Sequence, residues 1–266
     1  MKIFKHWTAE KRRVNIQGEI KEITTYGGSN TSMEDAAQSA KGKMEKVIRK
    51  INGETGIFDD YEVEIREEIL HTVDEDTIIT RNRYGAQVMN SEHLMFLDID
   101  HPKTTFGSFF KKGSPAQQKE LIFDMVRKLA ARSKYQGQSF RLYETYQGAR
   151  VIVQGRNFHT QDHATRDMMN EFNCDVLYTA ICKKQGCFRA RLTPKPYRMG
   201  MKAYKVKYPR ESVDIQFDHW LQNYENRSRS FSVCKFIGQI GSDSGTFEAV
   251  RLHDEITGAG IKLPLA

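Results

Sequence analysis

The chain has 266 residues, 39% hydrophobic and 11% aromatic with only 6 prolines, a make-up that excludes wholesale disorder and leaves room for one large core or two modest ones. No apolar run approaches the ~20 residues of a membrane span, and residues 1–7 lack the apolar middle of a signal peptide, so a cytoplasmic address is expected. Forty-one basic against 34 acidic residues leave a net charge of +7, a balance suited to polyanionic partners and concentrated between Arg141 and Arg210.

In chain order, the polar segment 27–32 precedes a capping pattern, Thr31 with Glu34 or Ser32 with Asp35. Ala36, Ala37, Ala40, Met44, Val47, Ile48 and Ile51 then form an apolar stripe that predicts a helix of about 18 residues. Residues 61–70 and 77–80 read as strands, Asn82 to Gly85 as a turn, and 86–89 and 94–100 as further strands. Between Ser114 and Arg132 the period becomes helical, with Ser114 as N-cap, Pro115 in the first turn and Leu121, Ile122, Met125, Val126 and Leu129 on one face. Residues 140–145 and 149–153 predict a hairpin around Tyr146, Gln147 and Gly148. Helices are expected over 160–172 and 176–184, followed by a strand at 188–192 with Arg189 and Arg191 on one face. The last third allows short strands at 230–240 and 249–253.

This order predicts an α+β fold, a mixed or antiparallel sheet of split or ferredoxin-like type covered by helices. It divides into an N-terminal α/β extension (1–75), a core (76–210) and a C-terminal extension packed on the core (211–266).

The stretch from Leu94 to His101 carries the most chemistry. Side chains alternate along a strand, so Asp98 and Asp100 stand on one face while Leu97 and Ile99 enter the core. Two adjacent carboxylates repel unless positive charge offsets them, and Mg²⁺ or Mn²⁺ is the usual oxygen-ligated partner. The blander alternative is one acid capping the next turn and the other solvated. Cys174, Cys182, Cys187 and Cys234 show no C-x-x-C spacing and read as reduced, buried thiols. Cys174, Cys182 and Cys187 with His159 or His163 offer a zinc set as the alternative, though the spacing matches no standard knuckle.

Three features follow one another: Asp98-Ile99-Asp100, the turn and strand Tyr146-Gln147-Gly148-Ala149-Arg150, and Asp175 with Tyr178-Thr179, Lys183-Lys184, Phe188-Arg189 and Lys195 behind it. Over roughly residues 86 to 200 this order resembles the catalytic core of the archaeo-eukaryotic primase superfamily, including its primase-polymerase branch. The second motif diverges, because Arg150 or Val151 stands where that family carries a histidine. The resemblance implies a metal-dependent nucleotidyltransferase acting on nucleoside triphosphates and nucleic acid. Asp98, Asp100 and Asp175 would be catalytic and hold Mg²⁺ or Mn²⁺, and Arg141, Arg150, Lys183, Arg189, Arg191 and Lys195 would bind the nucleotide. The residue types suit that chemistry: nucleotidyl transfer uses two dications about 4 Å apart, which three carboxylates commonly hold, and arginine binds phosphate bidentately.

Several of these residues also have a structural reading. Asp175 is placed to cap the helix from Val176, and Arg189 and Arg191 fit a solvated strand face. Competing functions are a non-catalytic nucleic-acid or nucleotide binder on the same fold, a metal-dependent nuclease using the same acids, and a phosphatase of the haloacid dehalogenase type. Pro102 stands where the phosphatase motif continues with Thr or Val.

Overall fold

The computed structural model describes residues 1–54, 63–100, 114–210, 213–241 and 247–266. The chain is α+β, with three sheets whose pairings are antiparallel. It forms two compact units, residues 1–69 with 207–213, and residues 70–206 with 214–266.

In the first unit, β1 (His6–Ile16) and β2 (Glu19–Ser29) form a long ribbon. Its two-residue turn has positive φ at both Gln17 (53°) and Gly18 (89°), the geometry that matches the twist of a tight hairpin. Helix α1 (Met33–Ile51) lies on the ribbon with Ser32 as N-cap, its side chain accepting from the Asp35 N–H. Of the expected stripe, Ala36, Ala40 and Met44 are buried. The approach is so close that a Cβ on Gly27 would lie 2.1 Å from the Ala36 carbonyl oxygen, which explains the pairing of glycine with alanines there. The strand expected over 61–70 is shorter: β3 spans Glu68–Thr72, Ile65 makes an isolated bridge to Ile3, and residues 61 and 62 lie outside the described residues.

The second unit holds two four-stranded sheets. One has the order β3, β4 (Thr77–Arg81), β5 (Gln87–Ser91), β9 (Phe188–Arg191). The other, the central sheet, runs β10 (Cys234–Gly241), β7 (Ser139–Thr145), β8 (Gly148–Gln154), β6 (Met95–Asp100). Strands β6 and β7 are both antiparallel to β8 between them, so they run in the same direction with α2 (Pro115–Ala130) in their connection, a split βαβ unit. The fourth strand, β10, joins the β7 edge.

Ser114 and Gln117 form the reciprocal capping box that starts α2. Ile122, Phe123, Val126 and Leu129 face the sheet, whereas Leu121, expected on that face, is 59% exposed: it lies on the solvent side of the same turn. Phe140 stacks on Phe172 with 5.5 Å between centroids, tying the sheet to the end of α3 (His163–Glu171). Helix α3 starts at His163, three residues later than the pattern suggests. Helix α4 (Val176–Gln185) ends at Gly186 in the left-handed region.

Residues 249–253, read as a strand, belong instead to helix α6 (Glu248–Thr257). Its buried residues Ala249, Val250, His253 and Thr257 follow helical spacing, and Gly258 terminates it with φ of 66°. Helix α5 (Ile215–Ser228), unread in the sequence, is capped by Asp214 and stacks Phe217, Trp220 and Tyr224 beside Tyr204. Among the described residues no helix is long and apolar enough to cross a membrane.

Candidate functional site

The site forms where burial fades along β6. Met95, Phe96, Leu97 and Ile99 are buried, Asp98 is half-buried and Asp100 is exposed. The register sets Tyr143 on β7, Arg150 on β8 and Asp98 on β6 in one line across the sheet, on the face that also bears Phe96. Asp100 lies opposite Gly148, and a Cβ there would come within 2.1 Å of the Ile99 carbonyl oxygen, so only glycine lets β8 approach the acid-bearing strand end.

Asp175 arrives from the loop before α4. Its backbone N–H donates to the Asp98 carbonyl at 2.9 Å, which places the third aspartate beside the first. Its Oδ1 accepts from the Tyr178 N–H at 2.8 Å, the expected helix cap. The Tyr178 hydroxyl donates to the Phe96 carbonyl (3.1 Å) and accepts from the Arg189 N–H (3.3 Å), joining the two sheets beneath the site.

Burial holds the Asp100 carboxyl above the usual carboxylate range, although its side chain reaches solvent. The negative charges of Asp98 and Asp175 raise it further, and Lys195 and Arg198 oppose them. The three aspartates therefore share one field, faced by two cations from the segment after β9. Their ligand atoms are not gathered as closely as those of Asp76, Glu92 and His93, the one set of three among the described residues to lie within 4.8 Å of one another.

The other expected nucleotide-binding residues divide. Arg191 belongs to the site: burial, then Arg150 and Arg198, lower its pKa to about 10, against the pull of Asp98. Its Nη1 donates to the Thr193 carbonyl at 2.7 Å. Arg150 is buried, and its Nη1 donates to the Arg191 carbonyl (2.9 Å) and to Nε2 of His253 (3.1 Å). Arg189 donates to the Gln185 side chain at 3.3 Å. Arg141 is two strands and two residues away from Asp98, where it donates to Asp254 at 2.7 Å and to Tyr143 at 2.9 Å. Lys183 is exposed in the last turn of α4, roughly 12 Å along the helix from its Asp175 cap.

Two residues here, Arg198 and His253, were not singled out as part of the site from sequence. Arg198 lies over the Tyr146 ring at 4.3 Å and donates to Gln147 at 2.9 Å. Tyr146 and Tyr197 are 48% and 65% exposed, so a cation stands between two open aromatic faces. The signal was Pro194 and Pro196, which bend the chain after β9 into a short 3₁₀ turn (Pro196–Met199). The second is His253, fully buried against Phe96 and Tyr143, whose Nδ1 pairs with Asp254 at 2.9 Å. Burial lowers its pKa to about 4, so it is neutral: Nδ1–H donates to Asp254 and Nε2 accepts from Arg150.

The four cysteines are buried thiols outside any disulfide. Burial pushes Cys174 up to about 12 and Cys182 to about 11, and among the described residues no metal-holding group joins them to His159 or His163. His101 and Pro102 lie outside the described residues. No family model, curated protein or solved structure matches the chain.

Proposed function

We propose that the protein is a metal-dependent nucleotidyltransferase resembling a primase-polymerase, acting on nucleoside triphosphates and nucleic acid. The observation that carries this reading is the main-chain bond from Asp175 to Asp98, with Asp100 in the field of both acids and of Lys195 and Arg198. Two carboxylates whose charges disfavour that of a third are a donor set for a hard dication, and Asp98, Asp100 and Asp175 would hold Mg²⁺ or Mn²⁺. When bound, the ion neutralises phosphate charge and activates the attacking hydroxyl. Arg191, Lys195 and Arg198 supply the protein's positive charge to the triphosphate, and Tyr146 and Tyr197 offer stacking faces for a base. Arg150 acts behind them by fixing the Arg191 backbone.

The test is incubation with Mn²⁺, a labelled nucleoside triphosphate and a primed or unprimed single-stranded template. Template-directed product that falls below detection in Asp98→Asn/Asp100→Asn is the expected result; degradation of the template by the same acids would make the protein a nuclease. The second reading is a non-catalytic nucleic-acid or nucleotide binder, favoured by the commitment of Asp175 Oδ1 to its cap and of Arg150 to the interior. Retained binding without product, unchanged in the double variant, would establish it.

A further inference from the structure

We propose a second metal site, independent of the aspartate trio, in which Asp76, Glu92 and His93 hold a borderline transition-metal ion such as Zn²⁺. Asp76 ends the turn before β4, and Glu92 and His93 open the turn after β5. The hairpin brings these turns together: Thr77 is paired with Ser91, and the Glu92 N–H donates to the Asp76 carbonyl at 3.0 Å. One ligand atom from each of the three side chains lies within 4.8 Å of the others. Atoms bound about 2.0–2.1 Å from one Zn²⁺ are roughly 3.3 Å apart, so small side-chain rotations close the set.

An independent feature points to a cation. His93 Nδ1 is 3.3 Å from the Phe158 carbonyl, a group that only accepts, so the proton sits on Nδ1. That points the other ring nitrogen, Nε2, at Asp76 Oδ1, 3.6 Å away. Backbone anchoring of the far nitrogen is the usual way a protein presents imidazole to a metal. The His159 ring packs edge-on at 4.6 Å, and the Phe158 N–H bonds to the His93 carbonyl, so the ring is held from both sides.

Two of the ligands, Asp76 and His93, border a cavity of about 420 Å³ lined also by Thr77, Ser91, Gln154 and Arg156. Three protein ligands, two of them at a cavity wall, leave a coordination position open, the layout of a site that binds or activates a small molecule rather than a closed structural one. Arg156 gives that molecule an anionic preference.

Zn²⁺ titration by calorimetry on the full chain tests this, performed in the Asp98→Asn/Asp100→Asn background so that loss of the other site leaves the outcome intact. One Zn²⁺ per chain is expected, weakened about 100-fold or more by His93→Gln and by Asp76→Asn. Without any change at these ligands, Zn²⁺ should also protect His93 from diethylpyrocarbonate, read by mass spectrometry. Equal affinity in properly folded ligand variants, or His93 modified at the same rate with and without Zn²⁺, would overturn the proposal.

Discussion

Two charge clusters lie at one face of the central sheet: in one the acid is hydrogen-bonded to an arginine and a histidine, in the other acids face acids. Toward β7, Arg141, Asp254, His253 and Arg150 form a closed chain of bonds against Tyr143, each polar group matched by another. Toward the end of β6, Asp98, Asp100 and Asp175 face one another with Lys195 and Arg198 nearby, and Asp100 is left with a carboxyl that resists ionisation. The first arrangement serves stability. The second leaves Asp100 ionising against the charges of Asp98 and Asp175, the arrangement on which the proposed metal site rests.

The largest test of that contrast is Asp254→Ala, which removes the acceptor of Arg141 Nη2 and of His253 Nδ1. A loss of about 4 kcal/mol is expected in urea denaturation, because removing one partner leaves buried polar groups uncompensated. A loss below about 1 kcal/mol would mean the cluster is not closed in the sense argued.

The next effect is on pH dependence. His253 has its pKa depressed to about 4, below its unfolded value near 6.5, so it favours the fold when neutral. Its contribution is complete above about pH 6.5 and declines as pH falls toward 4, by about 3 kcal/mol in all. Chemical denaturation at pH 7, 5.5 and 4.5 should show that slope in the wild type and a flatter one in His253→Gln.

The smallest effect has the opposite sign. A raised carboxyl pKa means ionisation of Asp100 costs stability at neutral pH, so Asp100→Asn should raise the Tm slightly rather than lower it. The gain should shrink with added salt, since the side chain reaches solvent. A destabilised variant would place Asp100 in a paired cluster like that of Arg141.

Legibility in the sequence followed how local the signal was. The capped start of α2, the β7–β8 hairpin, the acid-bearing β6 and the Asp175 cap depend on residues within a few positions of one another, and all are where the pattern puts them. The β1–β2 ribbon was missed because its strands are polar on both faces and its turn is Gln17-Gly18 rather than the Asn-Gly that announces a tight hairpin. Helix α6 was mistaken for a strand because five residues of mixed polarity fit either period; its burial pattern emerges only over ten.

By itself the sequence determined the order of helices and strands from β4 to β9 and the pairing of Asp98 with Asp100 on one strand face, because backbone alternation and capping act over a few residues. Tertiary structure alone decided that Asp175 meets Asp98, that Arg141 turns away to Asp254, and that His253 supports Arg150 from a helix at the far end of the chain. Those contacts join residues 77 to 113 positions apart, and no periodicity records which distant groups a folded sheet brings within hydrogen-bonding distance.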